Sequence, residues 1–474
     1  MEKKFNLEIT HKHFDLNKGL RDKSRVLYEG RIEQVVKFLI QGKHELQQDF
    51  NRRKKRIFYN NILRPIISAR AGLLTRSKVS VTVPKKLESY LSDLDGQKNS
   101  VNPWLKDVIM DADIEGICWV MVTLPSMENY VDDEGNPLIR TLKDQIDAGI
   151  RPYLKKIPAN SVIRWKINEN DNKLDWLVTK FEVTEKDEIG YEPISSTRWV
   201  VWKRDTIEVY KRDNKVGFIL IQEKDNVFGE VNFVPFYGIK DKYPFVGLPF
   251  AYAVLDHLTN ILNIESEKMD GLGLITVPKL LVMAQEKPDR ITQNSDAFFL
   301  PITRDGVRPE AKYLEPSGNG VKLAREEITQ LVKYIEQNTS FQSKKDTAQV
   351  ESADTIRESG TVRKADLGSA AINHEGSLID VFRLMMIAEA PNEKVDEKSI
   401  SVRIPQDFDA SKLDPAIMKE YREIRENGDI SQETYWKILF MGERLPEDFA
   451  AKDEQNKLLD EKDQQEVTLD MSGV

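Results

Sequence analysis

One cysteine occurs in 474 residues, and that scarcity sets a first limit. Cys118 can form no internal disulfide, which points to a reduced, intracellular site of synthesis. Its setting, Gly116-Ile-Cys-Trp-Val-Met-Val122, is apolar, so Cys118 reads as a small buried hydrophobe and not as a nucleophile. There are only five histidines, and they are scattered. His11 and His13 lack the cysteine or carboxylate company of a metal site. His257 and His374 fall on expected helices, where a packed or exposed imidazole is the simpler reading than a general base. No apolar run approaches the roughly 20 residues of a membrane helix, so no membrane partner is expected. The opening Met-Glu-Lys-Lys-Phe-Asn carries no apolar core of a signal peptide.

Positive charge is not in excess. Lys and Arg number 70 against 78 acids, a net charge of −8. Proteins that grip DNA by neutralising phosphates are usually basic, so tight general DNA binding is disfavoured, while passage of DNA past the surface is not. Catalytic signatures are missing too. There is no Gly-x-x-x-x-Gly-Lys-Ser/Thr loop and no Gly-x-Ser-x-Gly elbow. Gly271-Leu-Gly273 and Gly318-Asn-Gly320 are isolated pairs. Titratable groups concentrate nowhere, so the expectation is no enzyme and no cofactor.

What is present is a soluble, globular composition, 40% hydrophobic and 31% charged, long enough for two to four domains. The organising stretch is Pro249 to Lys345. Ala251, Val254, Leu255, Leu258, Ile261, Leu262 and Met269 recur at helical spacing, and Leu323, Ala324, Ile328, Leu331, Val332 and Ile335 repeat it. Between them lie strand-like runs at Ile275–Met283 and Ala297–Pro301, with turn chemistry at Arg304–Gly306 and Ser317–Gly320. Two amphipathic helices thus flank a small β module.

Elsewhere, residues 1–20 read as a loose polar arm and 21–76 as helices, with Pro65 marking a kink or a helix start. Arg52, Arg53, Lys54, Lys55 and Arg56 form the sharpest basic run, a candidate contact patch or a solvated helix face. Val79–Val83 alternates as a strand. Asp107, Asp111 and Asp113 are a candidate acid cluster, although a metal site needs more ligands. Residues 150–246 switch to period two in six runs and read as a small antiparallel β domain, barrel or sandwich. Trp165, Trp176, Trp199 and Trp202 are taken as its packing residues. Residues 340–360 are polar and read as a loop or weak exposed helix. A long helix follows over 361–389, a short strand at Ser401–Ile404, two helices within 411–449 with Ser431 as N-cap, and an acidic tail.

The order of these parts resembles the portal proteins of tailed bacteriophages. So do the phrases Pro235-Phe-Tyr-Gly-Ile, Gly247-Leu-Pro-Phe-Ala-Tyr252, Glu358-Ser-Gly-Thr-Val-Arg363, Gly428-Asp-Ile-Ser-Gln-Glu-Thr434 and Gly442-Glu-Arg-Leu-Pro446. The resemblance covers about residues 25–448. It implies an α+β, portal-like fold: a helical wing region (1–149), a small antiparallel β domain of the wing (150–246), a stem helix pair (247–273 and 321–345) flanking a β-containing clip (274–320), a tunnel loop, long helix and return to the wing (346–410), and a helical crown with acidic tail (411–474).

The resemblance also implies a function. The chain would form a homo-oligomeric ring, commonly of twelve subunits, at one capsid vertex of the virion after synthesis in the host bacterial cytoplasm. Double-stranded DNA would be packaged through the ring by terminase and later ejected. Its partners would be the terminase large subunit, the head-completion or tail adaptor proteins, and the major capsid and scaffolding proteins. Gln342, Lys344, Lys345, Gln349 and Arg357 become DNA-facing candidates in the tunnel loop. Two readings of other classes stand beside it. One is a metal-dependent nucleic-acid-processing enzyme built on Asp107–Asp113; the other is a monomeric interaction scaffold.

Overall fold

A computed structural model describes residues 5–125, 151–186, 192, 194–213, 217–275, 279–284, 297–301, 310–314, 318–339, 353–391, 395–406, 415–441, 445 and 454–455. The chain divides into two units, Met1–Gln406 and Asp407–Val474. In chain order the first carries helices α1 (Lys12–Glu29), α2 (Gln47–Lys55) and α3 (Leu63–Leu74), then strand β1 (Ser80–Thr82), helix α4 (Val101–Glu115) and strand β2 (Ile117–Thr123). Strands β3 (Tyr153–Ile157), β4 (Val162–Ile167), β5 (Leu174–Lys186), β6 (Ile194–Lys203), β7 (Thr206–Asp213), β8 (Gly217–Asp225), β9 (Phe233–Tyr237), β10 (Ile239–Lys240) and β11 (Gly247–Leu248) follow. Helix α5 (Leu255–Ile275), strands β12 (Lys279–Ala284), β13 (Ala297–Pro301) and β14 (Glu310–Leu314), helix α6 (Asn319–Thr339), helix α7 (Ala353–Glu389) and strand β15 (Ser401–Arg403) complete it. No described helix is long and apolar enough to cross a membrane.

Strand β2 is the hub of the first unit. Its sequence is apolar at nearly every position, as befits a strand covered on both faces, and six of its seven residues are buried. It lies at the centre of a three-stranded sheet ordered β3-β2-β9, antiparallel on both sides. By the two-residue repeat, Ile117, Trp119 and Met121 face one way. They join Ile157, Val162, Ile163, Trp165, Leu177, Val178 and Trp199 in a single apolar core. That core is shared with the second sheet, an open antiparallel meander ordered β4-β5-β6-β7-β8. Cys118, Val120 and Val122 point the other way, where α4 and α7 pack on the sheet. Each aliphatic side chain taken fully out of water there contributes about 1.5–3 kcal/mol.

The expected β domain over 150–246 is therefore divided. Its first run, β3, pairs with β2, which precedes it, and not with the meander. The two-sided apolar pattern of β2 requires hydrogen-bonded neighbours on both edges, and β3 and β9 supply them. The four tryptophans do pack into the shared core or against it. Within the described part of the expected arm, α1 begins at Lys12, and His11 N donates to Ile163 O at 2.8 Å on the edge strand β4, so this part is tied down. Strand β1 pairs with β15 across most of the unit, Ser80 opposite Arg403. Pro65 falls in the first turn of α3, a start and not a kink.

In the second unit, α8 (Pro415–Glu426) and α9 (Gln432–Met441) pack on each other. Ser431 Oγ accepts from Thr434 N at 3.1 Å, the expected N-cap.

Backbone conformation and crowding at Gly116 leave room only for glycine. Gly116 ends α4 at φ +86°, and a Cβ there would lie 2.6 Å from Gly247 O and 2.7 Å from Leu248 C. The crowded atoms are main chain and cannot swing away. Gly116→Ala is expected to destabilise the chain by about 3 kcal/mol or more. Gly72→Ala, within α3 and with open space at its Cβ, should gain up to about 1 kcal/mol. Denaturant unfolding of both variants checks the contrast.

Candidate functional site

Helices α5 and α6 carry the three-stranded sheet between them, as the sequence pattern predicts. They pack antiparallel: the His257 ring near the start of α5 stacks on Tyr334 near the end of α6 at 4.4 Å. At the other end, a Cβ on Gly271 would lie 3.8 Å from Val321. Each helix has 21 residues, a length of roughly 31 Å at 1.5 Å per residue. The sheet order is β13-β12-β14, with β12 parallel to β13 and antiparallel to β14. The parallel pair was not legible from the sequence, because the 12 residues between the strands are long enough for a crossover and long enough for an antiparallel return.

The two helices differ in how well their own chain covers them. Val254, in the turn just before α5, and Leu255, Leu258, Ile261 and Leu262 on it are buried, and Met269 is exposed. On α6 only Ile335 of the apolar stripe is buried; Ala324, Ile328, Leu331 and Val332 are half-buried and Leu323 is 64% exposed. The uncovered part of the two stripes thus lies mostly on the outgoing helix.

Side chains from the N-terminal helices hold α5 in place. Leu262 packs with Val35, Leu39 and Phe50. Asn263 Oδ1 accepts from Ile40 N at 2.8 Å, while its Nδ2 donates to Phe38 O and Thr259 O. Lys23 pairs with Asp256 at 2.5 Å. Arg53 is buried, donating to Glu45 through two bonds of 2.8 Å and to Ile40 O at 2.7 Å. The Arg53 hydrogen bond, foremost, holds the Glu45 carboxyl below the usual carboxylate range.

That burial corrects the basic run. Arg53 is removed from any contact patch, because the 3.6-residue repeat turns it inward from α2. Arg52 pairs with Asp49, Lys54 lies 4.1 Å from the centre of the Phe50 ring, and Lys55 and Arg56 are exposed.

A second cluster joins the helical region to the start of α5 and to α7. Arg70, 1% exposed, donates to Asp113 Oδ1 at 2.5 Å and to Asp366 Oδ2 at 3.4 Å. Its guanidinium lies 4.4 Å from the centre of the Phe250 ring, and Phe250 N donates to Asp113 O at 2.8 Å. Burial alone would lower the Arg70 pKa; the Asp113 and Asp366 charges more than offset it and raise it. Further along α7, Ser377 Oγ donates to Pro235 O at 2.8 Å, Arg383 pairs with Glu230, and Glu375 accepts from Ile404 N at 2.7 Å. Arg70 and Phe250 escaped sequence reasoning. The available signal was an arginine flanked by apolar and small residues beyond the first turn of the helix Leu63–Leu74.

The acid trio does not converge. Asp113 is committed to Arg70, and Asp111 pairs with Lys156 at 2.8 Å on another face. Among the described residues no three metal-ligating side chains cluster. His11 stacks on Trp165 at 4.0 Å and His13 on Tyr243 at 4.3 Å, so both are packing residues. Cys118 is buried, and burial pushes its thiol up, out of reach of nucleophilic use.

Gln342, Lys344, Lys345 and Gln349 lie outside the described residues. Arg357 falls on α7, which begins at Ala353 and so takes in eight residues of the stretch read as a loop or weak exposed helix. A weak helical sequence is stable as the extension of a packed helix, since nucleation is already met.

No protein-family model matches the chain, and no curated protein matches it. Solved structures similar to it include the following two. One is described as the neck of a native GTA particle computed with C12 symmetry: 9% identity, TM-score 0.40, covering 80% of this chain and 89% of that one. The other is the virion of a native gene transfer agent particle: 10% identity, TM-score 0.39, covering 82% and 90%.

One buried group gives the site a pH signature. His374 on α7 is fully buried, stacked on Phe236 at 5.9 Å, and neither ring nitrogen has a partner. Burial, with the Arg70 charge adding to it, holds its pKa down to about 3. The unfolded chain binds this proton near pH 6.5. The stability His374 supports is therefore complete above pH 6.5 and is lost as pH falls toward 3. Between pH 6.5 and 5 the loss is roughly 1–2 kcal/mol. The difference in denaturant-unfolding free energy between the wild-type chain and His374→Leu should change by that amount across this window.

Proposed function

We propose that the chain is the portal subunit of a tailed-phage-like particle: a ring-forming structural protein, not an enzyme, whose central channel passes double-stranded DNA. The single observation that carries this reading is the antiparallel pair α5 and α6 with a three-stranded sheet at one end and a partly uncovered apolar stripe on α6. A single chain leaves that stripe in contact with water, and a copy packed sideways covers it. The pair then lines a bore as the stem, the sheet is the clip that meets terminase and later the tail adaptors, and α7 stands behind the tunnel loop. The anchoring of α5 by Arg53, Asn263 and Leu262 and the tie from Phe250 through Arg70 to α7 suit a stem that transmits load to the wing.

Charge supports passage over grip. Twelve copies at −8 carry 12 × −8 = −96, and such a bore offers phosphates few fixed partners.

Solution mass and negative-stain images test the ring. A species near 12 × 54.6 = 655.2 kDa with a central hole is expected. Ile328→Asp together with Leu331→Asp, on the half-buried stripe, should shift the population to monomer while leaving the far-ultraviolet spectrum unchanged. Wild-type rings persisting at full yield in that double variant would count against the stripe as a subunit contact.

DNA contact is assigned to Lys344 and Lys345. Replacing both by Glu should lower packaging yield with the ring intact. Packaging at normal speed and yield in that variant would remove them from the channel surface.

A further inference from the structure

A small cavity lies between α1 and the two sheets, with a volume of about 10 Å³. One particle of water size fills such a space. His13, Asn17 and Arg21 reach it from α1, and Trp119, Trp165 and Phe245 are among the residues that close it. The spacing of four puts the three α1 residues on one face of the helix.

The polar groups around this cavity are oddly matched. Arg21 is 5% exposed and Trp165 7%. Arg21 Nη2 donates to Phe14 O at 3.1 Å, and the guanidinium lies 4.7 Å from the centre of the Phe14 ring. Arg21 Nε has no hydrogen-bond partner, and neither has Trp165 Nε1. Both can only donate. Among the described residues Arg21 makes no ion pair, whereas Arg25, one turn on, pairs with Glu115. A buried guanidinium with no carboxylate in contact, only Asp22 and Asp15 acting from farther off, is costly, and so is an orphaned buried donor. The other buried arginines of this unit, Arg53 and Arg70, both meet carboxylates.

We infer that this cavity is a binding site for one small monovalent anion, of the chloride class, which accepts from Arg21 Nε and Trp165 Nε1 and supplies the missing negative charge. Water also fits the space and accepts two hydrogen bonds, but it brings no charge and must place its own hydrogens against a lining whose unmatched groups are donors. The bound ion would fasten α1 to β4. The inference does not depend on the ring reading, since it concerns the folding of the chain itself.

The test is thermal and denaturant unfolding of the full chain at constant ionic strength, with gluconate replaced stepwise by chloride. Gluconate is too large for the cavity. Above the dissociation constant, each tenfold rise in chloride should raise the folded-to-unfolded ratio about tenfold. Arg21→Met should abolish that dependence. Trp165→Phe keeps the ring stack on His11 and removes one donor, so it should weaken the dependence even if Arg21→Met fails to fold. Equal stability in the two salts would mean that the cavity holds water, and would overturn the inference. A chloride dependence of unchanged size in Trp165→Phe would overturn it as well.

Discussion

Arg70 places a full positive charge where water does not reach, and three parts of the chain are arranged to compensate it. Asp113 comes from α4, Asp366 from α7, and the Phe250 ring from the residues that lead into α5. Asp113 also accepts the Phe250 amide through its carbonyl. Removing one partner of a buried ion pair costs about 3–5 kcal/mol, because the other charge is left uncompensated. The cluster therefore fixes where α5 starts and where α7 lies relative to α3 and α4. An apolar cluster could supply comparable stability, but it would tolerate sliding that a short, directional hydrogen bond does not.

Around that point the first unit is built in layers about β2. One face of the strand joins the core shared with the five-stranded meander, and the other receives α4 and α7. The close approach of Gly116 to Gly247 and Leu248 brings the end of α4 against β11, just before the segment that leads to α5. The α5–α6 pair is thus continuous with a closely packed, buried part of the first unit. Toward the small sheet the apolar cover thins: Met269 and Leu323 are exposed. Rigid support at one end and an unsatisfied stripe along α6 are what a helix pair needs if its remaining partner is another copy.

The element types were largely legible, because they follow from local periodicity. The stripes of α5 and α6, the strands of the meander, the Ser431 cap and the packing role of the four tryptophans all depend on residues within a few positions of one another. The start of α7 was left open, since Ala353–Gly360 has a single large apolar residue, Ile356, and is helical as the continuation of a packed helix. The candidate site was legible as a helix pair around a β module, and illegible in its anchorage.

By itself the sequence determined the alternation of apolar and polar positions, the acidic balance and the absence of nucleophile and phosphate-loop motifs. These set α+β elements in a definite order. Only the tertiary structure decided which members of a charged run face inward. Arg53 and Arg70 are indistinguishable in composition from exposed arginines, yet each is buried against a carboxylate eight and 43 residues away respectively. Tertiary structure likewise decided that β3 serves β2 and that β12 runs parallel to β13. The physical reason is the same throughout. A repeat along the chain specifies which face of an element avoids water, but the partner that covers that face, or neutralises a charge on it, is chosen by contacts between distant segments.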